Sequence, residues 1–271
     1  MIPRRLQSPV LAAALLLPAI AASGTAAAAP RAPPANAQFD YQIGGAYPPA
    51  SSVGIVDRDR HDAPVAGRYN VCYVNSFQTQ PEEAAWWRRN HDDLLLRSAN
   101  AYVVDDGWGE TLLDLSTAAK RTAIAAIADI WIDRCRAAGY QAIEPDNLDS
   151  WTRSHGLLTS SEAVAYAKLL ATRAHADGLA IAQKNTSELG SAGRAQVGFD
   201  FAIAEECAAY NECDDYTSVY GNQVYEVEYS DNGGLTSFAL ACAENGASIS
   251  IAYRDRDVVP LGVRGYVYRW C

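Results

Sequence analysis

Apolar positions with helical spacing alternate along this chain with short β-rich runs. Between Ser116 and Ala138, Ile124, Ile127, Ala128, Trp131, Ile132 and Cys135 recur at steps of three and four. That spacing makes one buried stripe and predicts a helix, with Ser116 suited to cap its start and Gly139 its end. Thr159-Ser160-Ser161-Glu162 reads as a capping box opening a second helix, which carries Val164, Ala167, Leu170 and Ala171 and stops at Gly178. Pro81 to Leu96 and Thr236 to Asn245 read as further helices. Between them lie eight strand candidates: Tyr41–Ile43, Val53–Asp57, Tyr69–Asn75, Ala142–Glu144, Leu179–Gln183, Phe199–Ala204, Val224–Glu228 and Ser248–Tyr253. Several are near-continuous apolar runs, as expected of parallel strands covered on both faces. Eight strands alternating with helices predict an α/β protein, a single (β/α)₈ TIM barrel. Leu112–Leu115 is a candidate ninth strand in an excursion between the third and fourth barrel strands. An open doubly wound sheet is the alternative, weakened because no Gly-rich dinucleotide fingerprint follows the first strand.

The ends of the chain narrow this picture. Arg4 and Arg5, the apolar Val10–Ile20 and the small residues Ala26–Ala29 have the order of a secretory signal peptide, expected over residues 1–29. It is too short and wrongly flanked for a spanning helix, so no membrane association is expected after cleavage. Residues 30–38, rich in Pro and Ala, read as a linker, and residues 39–271 as one catalytic domain. Six cysteines in an exported chain predict disulfides. Cys207 and Cys213 enclose a short loop and are paired first. Cys72 with Cys135 and Cys242 with Cys271 complete one of the fifteen connectivities open to six cysteines. The formal charge is −10, and removing the leader's two arginines leaves 20 basic against 32 acidic residues. Such a surface repels nucleic acid and favours cationic or neutral partners.

Nearly every strand candidate ends in polar side chains. Asp40 lies at the first, Asp57 with Arg58 and Asp59 at the second, and Asn75 at the third. Glu144-Pro145-Asp146-Asn147-Leu148-Asp149 ends the fourth and Lys184-Asn185 the fifth. Glu205-Glu206 ends the sixth, Glu228-Tyr229 the seventh, and Arg254 to Asp257 the eighth. In a barrel these ends converge on one face, where acid–base chemistry sits. Two carboxylates across such a face are the minimum equipment for glycoside hydrolysis, and Asp146 and Glu205 are the expected pair. Parity alone does not separate Glu205 from Glu206, because either could face the lumen. Asn147 and Asp149 are candidates for binding sugar hydroxyls or amines, or for turn chemistry. Lys184 is expected among the substrate contacts, where it either lowers the pKa of a neighbouring carboxylate or simply pairs with one structurally. Glu228 shares a strand face with Glu226 and is expected to point into the barrel. Asp40, Asp57, Tyr73, Asn75, Asn185, Arg254 and, if it is not the catalytic member, Glu206 complete the expected substrate contacts. Tyr73, Trp108, Trp151, Tyr210 and Tyr229 are candidate stacking faces.

Other chemistries fit poorly. His61, His91, His155 and His175 make no close metal-ligand pair, and neither a Gly-x-Ser-x-Gly elbow nor a P-loop occurs. A carboxylate-only divalent metal site has material but no specific motif. No cofactor and no metal are expected.

Read together, Asp40-Tyr41-Gln42-Ile43-Gly44-Gly45-Ala46-Tyr47, Cys72-Tyr73-Val74-Asn75, the Pro145-Asp146-Asn147 block, Gln183-Lys184-Asn185 and Glu205-Glu206-Cys207 with Cys213 form an ordered series. It resembles glycoside hydrolase family 114, the endo-α-1,4-polygalactosaminidases, from about Asp40 to the end of the chain. The resemblance implies a (β/α)₈ barrel that cleaves α-1,4-linked galactosamine polymers internally, with catalytic carboxylates at Asp146 and Glu205. The family pattern allows an amide at the position of Glu206, which favours Glu205 as the catalytic member. The expected partner is a cationic galactosamine-containing polysaccharide, and the expected enzyme a secreted monomer. A barrel that binds such a polymer without cutting it, and a metal-dependent hydrolase or deacetylase, are the rival readings.

Overall fold

The computed structural model describes residues 30–271. The expected signal peptide lies outside the described residues. Eight parallel strands follow one another around a nearly closed TIM barrel: β1 (Phe39–Gln42), β2 (Ile55–Asp59), β3 (Tyr69–Asn75), β4 (Ala142–Asp146), β5 (Ala180–Lys184), β6 (Phe201–Glu205), β7 (Val224–Tyr229) and β8 (Ser250–Arg254). A ninth strand, β9 (Tyr268–Trp270), pairs antiparallel with β8. The seam between β8 and β1 is spanned by side chains. Tyr268 Oη donates to the Phe39 carbonyl at 3.0 Å, and the Arg254 guanidinium donates to the Tyr41 carbonyl. All eight expected barrel strands are present: β2, β5, β6 and β8 are shifted by one or two residues toward the C-terminus, β4 and β7 run further at that end, β3 has its expected bounds, and β1 lies one or two residues earlier.

The lumen is filled by Phe39, Tyr41, Ile55, Val71, Phe201, Ile203, Tyr225 and Val227, with Ala142, Ala180, Ala182 and Ala252 making room for the rings. Outside the barrel lie α1 (Ala84–Asn90), α2 (Ala118–Ala138), α3 (Ser160–Ala176), α4 (Cys207–Tyr210), α5 (Cys213–Tyr220) and α6 (Gly234–Asn245). Helix α3 opens with the expected capping box at Thr159 and Glu162. Helix α2 is capped by Thr117, whose side chain accepts from the Lys120 N–H, and not by Ser116. The Ser116 hydroxyl is turned to Asp114 instead. Gly139, at φ 102°, ends α2 in the left-handed region as its sequence position predicts.

Two features depart from an ideal (β/α)₈ unit. The β1–β2 and β2–β3 connections carry no helix among the described residues. A polar network covers the strands there: Arg58 donates to Gln42 Oε1 at 2.9 Å and to the carbonyls of Tyr47 and Ala63 at 2.6 Å. The β3–α2 connection is the expected excursion. It contains α1, a 3₁₀ turn at Asp92–Leu94 and two small two-stranded ladders, the second pairing Val104–Asp105 with Glu110–Thr111. Leu112 and Leu113 form single bridges to Gln78 and Leu95 rather than a strand of their own. Beneath the barrel, the carbonyls of Arg31 and Pro33 accept from the hydroxyls of Tyr69 and Tyr225. Residues 30–38 are therefore tied to the domain they precede. Three disulfides join Cys72 to Cys135, Cys207 to Cys213 and Cys242 to Cys271, the pairing read from the sequence. No helix among the described residues is long and apolar enough to cross a membrane.

Candidate active site

The C-terminal ends of the strands surround a cavity of about 430 Å³. At its floor stands Lys184, the last residue of β5, with only 1 % of its surface exposed. Its ammonium is 3.0 Å from Glu144 Oε1, 3.0 Å from Asp146 Oδ1 and 3.3 Å from Glu205 Oε2, and it donates to Tyr41 Oη at 3.0 Å. A buried charge is tolerated only when paired and hydrogen-bonded, and here one cation meets three carboxylates from two other strands.

Each carboxylate is then held separately. Asp146 Oδ2 accepts from Tyr73 Oη at 2.8 Å. Burial pushes the Asp146 carboxyl up, but the Lys184 ammonium outweighs it with help from Tyr73 and the Asn147 N–H, so its pKa lies below the usual carboxylate range. Asp146 is therefore a permanent anion at neutral pH. Glu205 Oε1 accepts from Tyr229 Oη at 2.5 Å and Oε2 from Asn185 Nδ2 at 2.9 Å, while Asn185 Oδ1 accepts from the Glu205 N–H at 2.8 Å. Burial opposes the charge on Lys184, yet its three carboxylates raise its pKa well above the ordinary lysine value.

Below Lys184, Asp57 and Glu144 are both fully buried. Neither oxygen of Asp57 nor Glu144 Oε2 has another donor. Burial and then the Glu144 charge push the Asp57 carboxyl well above its usual range, and burial also raises Glu144. One proton shared between the two acids bridges Glu144 Oε2 and one oxygen of Asp57 and leaves the second Asp57 oxygen without a donor, while Tyr41 Oη donates to Glu144 Oε1 at 2.9 Å.

The chain turns sharply just past three of these strands. Asn147 (φ 65°), Asn185 (φ 46°) and Glu206 (φ 61°) all take the left-handed conformation. Asparagine adopts it readily and glutamate does not. Glu206 is held there by its N–H bond to the Val227 carbonyl at 2.8 Å and by the Arg256 guanidinium, 2.6 Å from Oε1 and 3.2 Å from Oε2. Arg256 also stacks over Tyr229, 4.1 Å from the ring centre, behind the phenol that donates to Glu205. Across the mouth, Gly44 comes so close to the β8 loop that a Cβ would stand 2.4 Å from the Asp257 carbonyl oxygen. Only glycine lets these two loops meet beside the cavity.

Of the residues expected from the sequence, Asp146, Glu205, Tyr73, Asn147, Asp149 and Asn185 line the cavity, and Lys184 lies beneath them. Six others take different places, among them Glu206, which is buried against Arg256 and does not line the cavity. Asp40 faces outward, where Tyr47 Oη and Gln42 Nε2 donate to it at 2.6 and 2.8 Å, because the helix-free side of the barrel needs a polar cover. Asp57 is buried under Lys184. Asn75 is buried and spends its amide on Glu110 Oε2 (2.8 Å) and on the N–H of Gln78 (3.2 Å). Arg254 is consumed by the carbonyls of Tyr41, Val259 and Val267 at the seam. Glu228 points away from the lumen and accepts from the N–H groups of Ala208 (3.0 Å) and Ala209 (3.4 Å) at the start of α4. Its neighbour Glu226 does the same from Ala208 at 3.2 Å. Burial, and then Glu228 itself, push Glu226 well above the carboxylate range, so this pair also holds a proton. The expectation that a strand charge must face the barrel fails because a helix start supplies donors on the other side. Glu226 lies close to Cys207 and Cys213 as well, but those sulfurs form a disulfide and offer no thiolate to a metal.

Sequence reasoning missed the wall built by the excursion: Asp105, Glu110 and, opposite them, Arg153. Arg153 Nε lies 2.6 Å from Asp105 Oδ2, and its two terminal nitrogens donate to Asp149 at 2.8 and 2.9 Å. Trp108 at the hairpin tip and Tyr229 line the cavity, whereas Trp151 packs on the core and Tyr210 lies elsewhere, its hydroxyl accepting from Asn232.

The family model for glycoside hydrolase family GH114 matches residues 20–271. Among solved structures, Aspergillus fumigatus Ega3 in complex with galactosamine aligns over 92 % of this chain and 100 % of its own, with 22 % identity and a TM-score of 0.69. The glycoside hydrolase domain of PelA from Pseudomonas aeruginosa aligns over 84 % of this chain and 97 % of its own, with 16 % identity and a TM-score of 0.55. No curated sequence matches. Both structures share the fold described above, and the family match spans all of the barrel strands. The chain is a glycoside hydrolase and belongs to family GH114.

Proposed function

We propose that the protein is a secreted, endo-acting hydrolase of α-1,4-linked galactosamine polymers in which Asp146 is the nucleophile and Glu205 the acid–base. The observation that carries this reading is the sharing of the Lys184 ammonium by two carboxylates from different strands at the floor of one cavity. The two oxygens cannot be further apart than the sum of 3.0 and 3.3 Å. Those two oxygens lie closer together than the roughly 6.5–9.5 Å between the carboxyl groups of inverting enzymes, and we assign the retaining class, whose carboxyl groups stand roughly 5–5.5 Å apart. Asp146, kept ionised by Lys184 and Tyr73, attacks C1 while Glu205 delivers the proton taken up by the departing glycosidic oxygen. Water then loses a proton to Glu205, attacks C1 and releases Asp146, so the anomeric configuration is kept.

The substrate reading rests on charge and resemblance. Six carboxylates and two guanidiniums line the cavity, a balance that attracts a polycation and should weaken with salt. Ega3, which shares this fold, was crystallised with galactosamine. The motifs around Asp146 and Glu205 are those of the polygalactosaminidase family. The three disulfides fit export to an oxidising compartment. The test is hydrolysis of a de-N-acetylated α-1,4-galactosamine polymer followed by proton NMR. New internal cleavage products that appear first as the α-anomer are expected. A β-anomer would overturn the retaining assignment, and binding without cleavage would leave a polysaccharide-binding barrel.

A further inference from the structure

Glu110 has a fixed carboxylate with no cation to meet it. Its Oε2 accepts from Asn75 Nδ2 at 2.8 Å and Asn147 Nδ2 at 3.2 Å, two amides that set the orientation of the group. Asn75 is itself 97 % buried, being 3 % exposed, and is anchored by the Gln78 N–H, so this support is rigid. The other oxygen, Oε1, makes no hydrogen bond among the described residues, and the side chain lines the cavity beside Asp146 and Trp108. In the excursion ladder Glu110 stands directly opposite Asp105. Like charges so placed destabilise a hairpin unless each is compensated. Asp105 is compensated by Arg153, Gln78 and the Gly107 N–H. Glu110 forms no salt bridge among the described residues, and the charges of Asp146, Asp105 and Glu82 all act to raise its pKa. Burial, eased by the Asn75 amide, pushes its carboxyl up to about 7.

Resting on the proposed function, we infer that Glu110 is the specificity-determining carboxylate of a sugar subsite: its free oxygen pairs with the 2-ammonium of a galactosamine unit next to the one attacked by Asp146. A de-N-acetylated sugar supplies the missing cation, and an acetamide cannot. The exposed Trp108 indole on the same hairpin offers the ring face on which that unit can stack.

Glu110→Gln tests this without removing the support, because the Gln oxygen can still accept from Asn75 and Asn147 while its uncharged amide NH2 takes the place of the free carboxylate oxygen. Dissociation constants are measured for a fully de-N-acetylated α-1,4-galactosamine tetramer and for its N-acetylated counterpart, with wild type and variant, alongside kcat/KM for both. An unchanged melting temperature shows that the fold is kept. The de-N-acetylated ligand is expected to bind about tenfold or more weakly to the variant, the loss of one charge-assisted contact, with the N-acetylated ligand altered by less than about twofold. Equal losses on both ligands, or none on either, would overturn the inference. The binding arm needs no turnover. A wild type that binds but never cleaves therefore counts against the proposed function alone, and the ratio of dissociation constants still decides the role of Glu110.

Discussion

Replacing Lys184 by Met removes a cation on which three acids converge, and its consequences can be worked from the distances. Glu144, Asp146 and Glu205 approach the ammonium within 3.0–3.3 Å, and Lys184 and Glu144 are essentially inaccessible to water. Removing one partner of a buried ion pair costs about 3–5 kcal/mol, because the remaining charges are left without compensation. Met matches the length of the Lys stem, so little of that loss comes from packing. The linkage has a definite sign. The Asp146 pKa is depressed in the folded protein, so its contribution is present above the unfolded carboxylate value and disappears as pH falls through the folded one. The Lys184 pKa is raised, so its contribution is present below the unfolded lysine value and is lost only under strongly alkaline conditions. Urea unfolding of wild type and Lys184→Met should therefore differ by about 3–5 kcal/mol near neutrality, and the gap should close toward acid pH. The acid limb of the pH–rate profile should move upward in the variant, since Asp146 loses the charge that keeps it ionised. A stability difference below about 1 kcal/mol at pH 7 together with an unmoved acid limb would refute the electrostatic account of the site.

Glu226→Gln supplies through its amide the hydrogen that the Glu226–Glu228 pair shares. Wild-type stability should fall as pH rises through the raised folded pKa values of that pair, and the variant should lose less over the same rise in thermal unfolding; parallel curves would count against a shared proton. The disulfides should differ in weight. Cys72–Cys135 closes a loop with a sequence separation of 63 and Cys207–Cys213 one of 6, so double Ala replacement should cost about 4 kcal/mol at the first and about 2 at the second by chain entropy. Denaturant titration of the two variants checks that order. Arg256→Ala frees Glu206 and uncovers Tyr229 behind Glu205; kcat should fall while KM for the polymer changes less, and a pure KM effect would mean that Arg256 only holds substrate.

The strands were legible because a parallel barrel writes itself as apolar runs ending in polar residues. Asp146, Lys184 and Glu205 are the last residues of β4, β5 and β6, and the motif that each closes marks the place. Facing was less legible. In strands covered on both sides, an alternating pattern gives two sets of positions but not which set looks inward. Glu228 and Asp40 are outward for that reason, each satisfied by donors from the α4 start or the β1–β2 loop that no local pattern announces. Arg254 reads from the sequence as a ligand contact because nothing there marks the seam it closes. The wall formed by Asp105, Glu110 and Arg153 depends on how a long excursion folds back over the mouth. Its only trace was the surplus of charge between Asp105 and Glu110, where Asp105 and Asp106 precede the Trp108 turn. The strand β9 is three residues long and antiparallel, too short for its alternation to stand out.

The central claim is that Asp146 and Glu205 together cleave a galactosamine polymer. Reducing ends released from de-N-acetylated α-1,4-galactosamine polymer by wild type, Asp146→Asn and Glu205→Gln test it most directly. Both amides keep the size of the acids they replace, so the barrel should still melt cooperatively. The account predicts losses on the order of 10²–10⁴-fold or more in each variant. Wild-type rates in both would contradict it.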